Sequence, residues 1–225
     1  MRKLDLNLLW DSWLGLACHA LVAYGRDDVY TQLTSEIAQM VRNGRVLDVG
    51  CGPGQGAAAL ARSAPGLFVD GIDLAPAMIQ EAERRAKKMG QTRVSFAVGD
   101  ALNLPFSDEQ FDAVYTIDSM KHWPDRAKGL REIFRVLKPG GFILAMELDR
   151  RASNSAVRGL ARGGPLKYIP WPATWAMFRT VAGAASFDRD EAQRMFSDSP
   201  FAEVSVGALS ALPLLVIRGK KRELR

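Results

Sequence analysis

Cysteine and histidine are both scarce in this chain, which has only Cys18 and Cys51, His19 and His122. Two of each supply neither a disulfide framework nor a Cys/His zinc site of recognised spacing, so no structural metal is expected. Long apolar runs are missing as well. The nearest is WLGLACHALVAY, Trp13 to Tyr24, which contains His19 and is shorter than the roughly 18 residues a membrane-spanning helix needs. A leader peptide is disfavoured because Asp5 and Asp11 interrupt the apolar region behind Arg2 and Lys3. The expectation is a cytoplasmic chain with no membrane span, peripheral membrane contact being left open. There is no internal repeat and no low-complexity tract.

What is present suits one large domain. The 225 residues are 48% hydrophobic and 24% charged, enough for a sizeable core. The net charge of +5 is uneven: residues 150–225 carry 13 Lys and Arg against 6 Asp and Glu, whereas the first 149 carry 17 against 19. A basic C-terminal third can face nucleic acid, an anionic membrane or an acidic substrate. Here Arg218, Lys220, Lys221, Arg222 and Arg225 crowd the chain end like a solvated tail. No stripe of basic residues interleaved with aromatics accompanies them, which disfavours nucleic acid as a partner.

Up to Pro139 short apolar runs alternate with amphipathic stretches. RVLDVG (45–50), GLFVDGID (66–73), VSFAVGD (94–100), FDAVYTID (111–118) and GFILAMEL (141–148) are continuous enough for strands buried on both faces. Between them, APAMIQEAERRAKKMG places Met78, Ala82 and Ala86 on one helical face, with Pro76 near its start and Gly90 after its end. DRAKGLREIFRVLKPGG does the same with Ala127, Leu130, Ile133, Phe134 and Leu137; Asp125 is its expected N-cap and Pro139-Gly140-Gly141 its stop. This alternation predicts an α/β fold, a doubly wound, mostly parallel sheet with right-handed crossovers. FAEVSVGALSALPLLVIRGKK (201–221) holds two strand-like runs with no room for a helix between them, so they should pair antiparallel. The fifty residues before that hairpin are too long for a plain connection and read as a lid, helical only near Asp188 to Phe196. The organisation expected is a single domain over 1–225, with N-terminal helices (1–44), a cofactor-binding core (45–149), a lid or acceptor insertion (150–199) and a C-terminal hairpin (200–221).

The sharpest local feature is VLDVGCGPGQG, Val46 to Gly56. Gly50, Gly52 and Gly54 permit positive φ and a close approach of bare backbone, and a helix N-terminus follows. Counted from Gly50, the dinucleotide pattern G-x-G-x-x-G fails at Gln55; counted from Gly52 it ends on Ala57, the looser form, so a nicotinamide or flavin site stays open. The acids discriminate better. Asp48 stands just ahead of the glycines, Asp73 ends the second strand, and Asp100 ends the third. Asp73 is placed to accept both hydroxyls of an adenosine ribose. Asp100 and the backbone of Ala101 can meet the edge of an adenine. Three acids at successive strand ends suit a cationic, adenosine-bearing cofactor better than a pyrophosphate.

VLDVGCGPG, GIDLAPAMI, GDALNLPF, FDAVYTIDSMKHWPD and REIFRVLKPGG, in this order and spacing, resemble the successive motifs of class I S-adenosylmethionine-dependent methyltransferases. The branch most resembled contains ubiquinone/menaquinone-biosynthesis and natural-product small-molecule methyltransferases. The likeness is strong from about 45 to 147, and the final hairpin matches the family's antiparallel seventh strand. It implies a seven-stranded Rossmann-like fold with a helical lid, S-adenosylmethionine as cofactor, and methyl transfer to a small, lipophilic or aromatic acceptor. It also implies that Asp48, Gly50 and Gly52 line the methionine half, with Cys51 and Gly54 close by. Asp73 would take the ribose hydroxyls, Leu74 and Met78 would pack near the adenine, and Asp100 and Ala101 would read its edge. Ile117 would offer backbone to the methionine amino group. Ala75 departs from the Ser that relatives often carry, at the cost of a helix cap.

Other features admit plain readings beside sharp ones. Cys51 lacks a neighbouring His and reads as a small filler rather than a nucleophile. His122, in SMKHWPD after the fourth strand, is the candidate general base, with a structural role in its loop as the alternative. Trp10, Trp13 and Tyr30 ahead of the first strand, and Tyr168, Trp171, Trp175 and Phe178 in the insertion, suit an aromatic cap over a planar acceptor or ordinary packing. Arg151, Arg158, Arg162 and Lys167 read as a solvated face. Two rival functions are an RNA methyltransferase using the basic third and a nicotinamide-dependent oxidoreductase. The first lacks an NPPY-type signal after the fourth strand.

Overall fold

The computed structural model describes residues 27–162, 164–182, 186–209 and 211–223. The helices expected over the first 26 residues, with Trp10 and Trp13, lie outside them. Helix α1 (Asp27–Met40) leads into β1 (Gly44–Val49), α2 (Gln55–Ser63), β2 (Leu67–Asp73), α3 (Pro76–Lys88), β3 (Val94–Val98) and β4 (Phe111–Ile117). After a 3-10 turn (Met120–His122) come α4 (Arg126–Val136) and β5 (Leu137–Leu148). The insertion holds α5 (Asn154–Ala161), a 3-10 turn (Gly164–Tyr168), α6 (Trp171–Met177) with a π turn (Phe178–Ala182), and α7 (Arg189–Ser197). Strands β6 (Ala202–Ala208) and β7 (Leu214–Lys220) close the sheet, in the order β3-β2-β1-β4-β5-β7-β6. Five strands are parallel, and β7 runs antiparallel between β5 and β6, as the hairpin pattern predicts. Among the described residues, no helix is long and apolar enough to cross a membrane.

Alternate residues of a strand reach opposite faces, so an apolar run of period one fills two cores. Val46, Tyr115 and Leu144 face a cluster built with Ile37 of α1, Leu60 of α2 and Val157 of α5. Leu47, Val114 and Ile143 face the other, with Ile133 of α4 and Phe196 of α7. Helix α2 is the most deeply set: Gly56 to Ala61 are all buried, and its small side chains let it lie close on β1.

Three expectations about this architecture need correction. Helix α4 stops at Val136, before Pro139-Gly140-Gly141, because Leu137 already pairs with Phe111 and the backbone of Gly140 bonds to Lys221. The insertion is helical well before Asp188. Ser153 caps α5 by accepting from the Ala156 N–H at 3.2 Å, and Pro170 and Pro172 open α6. Of the basic chain end, Arg222 is exposed and Arg225 lies outside the described residues, but the other three cations are no solvated tail. Arg218 and Lys220 belong to an internal strand, Arg218 forms a two-pronged ion pair with Glu36 of α1, and the buried Lys221 donates to the Leu137 carbonyl at 2.7 Å.

Helix α7 starts on a reciprocal cap: Asp188 accepts from the Glu191 N–H at 3.0 Å and Glu191 accepts from the Asp188 N–H at 3.1 Å. Asp188 also pairs with Arg150 at 3.1 Å and Arg151 at 3.2 Å. Asp188→Ala should cost about 1–2 kcal/mol in urea unfolding and Asp188→Asn less than half of that, since the amide oxygen can still cap.

Candidate donor and acceptor site at the sheet switch point

Chain order reverses between β1 and β4, and ligands of open α/β sheets bind outside the carboxyl ends of the strands at such a point. Here the glycine turn after β1 faces the loop after β4. Gly50, Gly52 and Gly54 all take left-handed φ, at 72°, 51° and 78°. A Cβ on Gly50 would lie 2.0 Å from the Ser119 Oγ, so the two loops are in contact and Gly50 admits no side chain.

The turn's N–H groups are already spent. Gly50 and Cys51 donate to the Ile72 carbonyl at 2.8 and 2.9 Å, Gly54 donates to Cys51 at 3.0 Å, and Pro53 has none. Gly52 donates to Asp73 Oδ2 at 2.9 Å, while the other oxygen of Asp73 takes the Ala75 N–H at 3.0 Å. Asp73 therefore pins the turn from β2, and the Leu74 N–H is a further donor to its carboxylate. A pyrophosphate would find no nest of free donors in this turn, and would meet acids instead.

Asp48 lies beneath the turn, 2% exposed, with its Oδ2 accepting from the Tyr115 hydroxyl at 2.8 Å. Burial and, less strongly, the charge of Asp73 push its carboxyl up to about 7 against the pull of the Tyr115 and Ala57 hydrogen bonds. Asp73 is raised as well, chiefly by burial. Two acids that resist ionising together favour a cation between them. The same burial and the same two carboxylates push the Cys51 thiol well above its ordinary value, so it is inert as a nucleophile.

Leu74 and Val98, at the ends of β2 and β3, leave 52% and 51% of their surface exposed, an apolar seat for a ring. Asp100 is exposed beside it and takes the Leu102 N–H at 2.8 Å, with Ala101 half-buried. Met78 is 2% exposed and packs within the helix–sheet layer, and Ile117 ends β4 half-buried. The residues present thus fit a cationic adenosyl group: acids for a positive charge and hydroxyls, apolar plates for a base.

On the other side, the loop after β4 carries Asp118, at φ 55°, and Lys121, whose ammonium is 2.5 Å from the Asp118 carboxylate. His122 ends this turn and is exposed. Protein crowding around its ring and the Lys121 ammonium hold the imidazole below its ordinary value, hence neutral at pH 7. A pocket of about 620 Å³ opens beside this loop, lined by Lys121, Arg126, Arg150, Ser186, Phe187, Glu191 and Met195. The insertion builds its far wall, since Phe187 returns to bridge Asp149. His122 is not among the lining residues. The expected aromatic cap divides: Phe178 is core, Tyr30 and Trp171 are half-buried, and Tyr168 and Trp175 are exposed by 80% and 41%. Of the insertion's cations, Arg151 pairs with Asp188, Arg158 stacks over Trp171 at 4.6 Å and Lys167 over Tyr168 at 4.9 Å.

Sequence reasoning missed Glu147. It is 0% exposed in β5, and one oxygen accepts the N–H groups of both Ser119, at 3.0 Å, and Met120, at 2.8 Å. Burial and the charge of Asp118 push it up to about 8 against the pull of Lys121. The available signal was an acid inside the apolar run GFILAMEL.

The family described as "Methyltransferase domain" matches residues 46–141. Methyltransferase GfsG of Streptomyces halstedii is 46% identical over 110 residues, 48% of this chain and 39% of that protein. The demethylmenaquinone methyltransferase of Clavibacter sepedonicus is 37% identical over 131 residues, 58% of this chain and 52% of that protein. The chain thus aligns with only about half, or less, of the length of these curated relatives. A putative S-adenosyl-L-methionine-dependent methyltransferase of Methanococcus maripaludis shares the fold with TM-score 0.68 at 18% identity, covering 98% of this chain and 92% of that one. Residues 46–141 of this chain thus match a methyltransferase domain, set in a Rossmann-like sheet.

Proposed function

We propose that the chain transfers a methyl group from S-adenosylmethionine to a small acceptor with an apolar or aromatic body, releasing S-adenosylhomocysteine. One observation carries this reading: Gly50 to Gly54 have no N–H left for a phosphate, and they are flanked by acids whose ionisation a cation would relieve. It argues equally against the nicotinamide alternative. When bound, S-adenosylmethionine supplies a methyl on a sulfonium that is already a good leaving group.

The chain's own contribution is then alignment and exclusion of water. Asp73 orients the ribose through its carboxylate, Leu74 and Val98 hold the adenine, and Asp48, Gly50, Gly52 and Ile117 bound the methionine end. The acceptor occupies the pocket of about 620 Å³, a size suited to a drug-sized molecule, with Phe187 and Met195 against its apolar body. The 150–199 insertion serves as its lid. His122, neutral at pH 7 and next in the chain to the lining residue Lys121, is the proposed group to take a proton from an oxygen or carbon nucleophile. An aromatic acceptor agrees with the quinone precursor in the name of the Clavibacter relative.

Calorimetry should give S-adenosylhomocysteine a Kd on the order of 10 µM or tighter, with no binding of NADH. Labelled S-adenosylmethionine should pass its methyl to a member of a panel of hydroquinones, phenols and amines. A chain that takes up no S-adenosylhomocysteine does not have this function.

A further inference from the structure

Glu147 has no part in the reading above, yet it is the most enclosed acid of the site. Its Oε1 holds two successive backbone N–H groups, those of Ser119 and Met120, at 3.0 and 2.8 Å. Its Oε2 is buried and has no hydrogen-bond partner among the described residues. A buried carboxyl is costly unless its hydrogen bonds offset the desolvation, and these two bonds do so here.

The backbone they hold is one that relaxes without help. Asp118, immediately before it, has φ 55°, a left-handed conformation that a non-glycine residue keeps only when its surroundings impose it. The Asp118 N–H is fixed by the Met146 carbonyl at 2.7 Å, and the Asp118 side chain by Lys121 at 2.5 Å. Ser119 is fixed three ways. Its N–H goes to Glu147, its Oγ accepts from the Trp123 indole at 3.1 Å, and its side chain sits where a Cβ of Gly50 would be.

The two halves of the site are therefore built alike. On β2, Asp73 uses its oxygens to hold Gly52 and Ala75; on β5, Glu147 uses one oxygen to hold Ser119 and Met120. The loops they hold meet at Gly50 and Ser119. We propose that Glu147 is a positioning residue of this site: from β5 it pins the 118–122 loop against Gly50, fixing the wall between methyl donor and acceptor. The purpose rests on the methyltransfer reading, but the pinning does not.

Two variants separate position from charge. Glu147→Ala leaves two buried N–H groups unpaired. In Glu147→Gln the amide oxygen can accept both, and the amide nitrogen takes the place of Oε2, an atom that makes no hydrogen bond among the described residues. In the unliganded protein, hydrogen exchange at Ser119 and Met120 should quicken roughly hundredfold in Glu147→Ala and less than fivefold in Glu147→Gln, with β2 amides unchanged. The Trp123 indole resonance should move in the alanine variant only. S-adenosylhomocysteine should bind roughly tenfold more weakly to Glu147→Ala and within threefold of wild type to Glu147→Gln. Protected amides in the alanine variant, or a glutamine variant as impaired as the alanine one, would overturn the pinning. Unchanged S-adenosylhomocysteine affinity with the amides released would overturn the link to the donor wall. Failure of the wild-type protein to bind S-adenosylhomocysteine overturns the function and leaves the exchange pattern to decide the pinning.

Discussion

Asp73→Ala is expected to lower S-adenosylhomocysteine affinity more than hundredfold in calorimetry. The substitution removes two kinds of interaction at once. The carboxylate holds the Gly52 and Ala75 N–H groups at 2.9 and 3.0 Å, so the alanine variant frees the turn that faces the ligand. It also removes the acceptors proposed for the two ribose hydroxyls. Hydrogen bonds to a charged group contribute about 1.5–3 kcal/mol each, so losing the ribose pair alone exceeds the threshold of about 2.7 kcal/mol that a hundredfold represents. Asp73→Asn keeps one acceptor oxygen and should lose roughly tenfold, which distinguishes a ligand contact from collapse of the turn. Wild-type affinity in the alanine variant would remove Asp73 from the site.

The parts of this molecule that could be read in advance are those set by neighbours in sequence. VLDVG and FDAVYTI declare buried strands because most of their residues are apolar, and Gly50, Gly52 and Gly54 declare a turn because only glycine takes their φ readily. Asp73 and Asp100 could be placed because strand ends could. What escaped was set by partners far along the chain. Glu147 looks like an anomaly in an apolar run until β5 lies beside β4 and brings it to Ser119, 28 residues earlier. Asp48 reads as a strand-end acid open to ligand, but Tyr115, 67 residues later, shares its burial. The basic chain end misled for the same reason, since β7 runs between two other strands. Helices α5 and α6 escaped because each is under three turns and embedded among Gly and Pro, where local periodicity is weak.

Asp48→Asn should make the unliganded protein less sensitive to rising pH. The Asp48 carboxyl stands at about 7 in the folded chain against an ordinary value of 3.8. Between those values the folded chain binds the proton and the unfolded chain does not, so this group's contribution is fully present below pH 4 and is lost as pH rises through 7. The rise from 3.8 to about 7 corresponds to an upper bound of about 4 kcal/mol. Since Asp73 and Glu147 are also raised, wild type will keep losing stability for other reasons, and the comparison must be a difference between proteins. Urea unfolding at pH 5 and pH 8 should show the asparagine variant retaining about 2 kcal/mol more of its pH 5 stability than wild type does. Asparagine is the right replacement because its carbonyl still accepts from the Tyr115 hydroxyl and its volume respects Gly56, where an added Cβ would lie 3.2 Å from both Asp48 Oδ2 and the Tyr115 hydroxyl. Parallel pH profiles in the two proteins would mean that Asp48 is already ionised at pH 5. The proposed ligand then acts on the same proton. A cation at the methionine end lowers the carboxyl's affinity for it, so S-adenosylmethionine should release protons on binding at pH 6.5, measured as a dependence of calorimetric heat on the buffer's ionisation enthalpy. In Asp48→Asn that dependence should shrink, because the group that gives up the proton is gone.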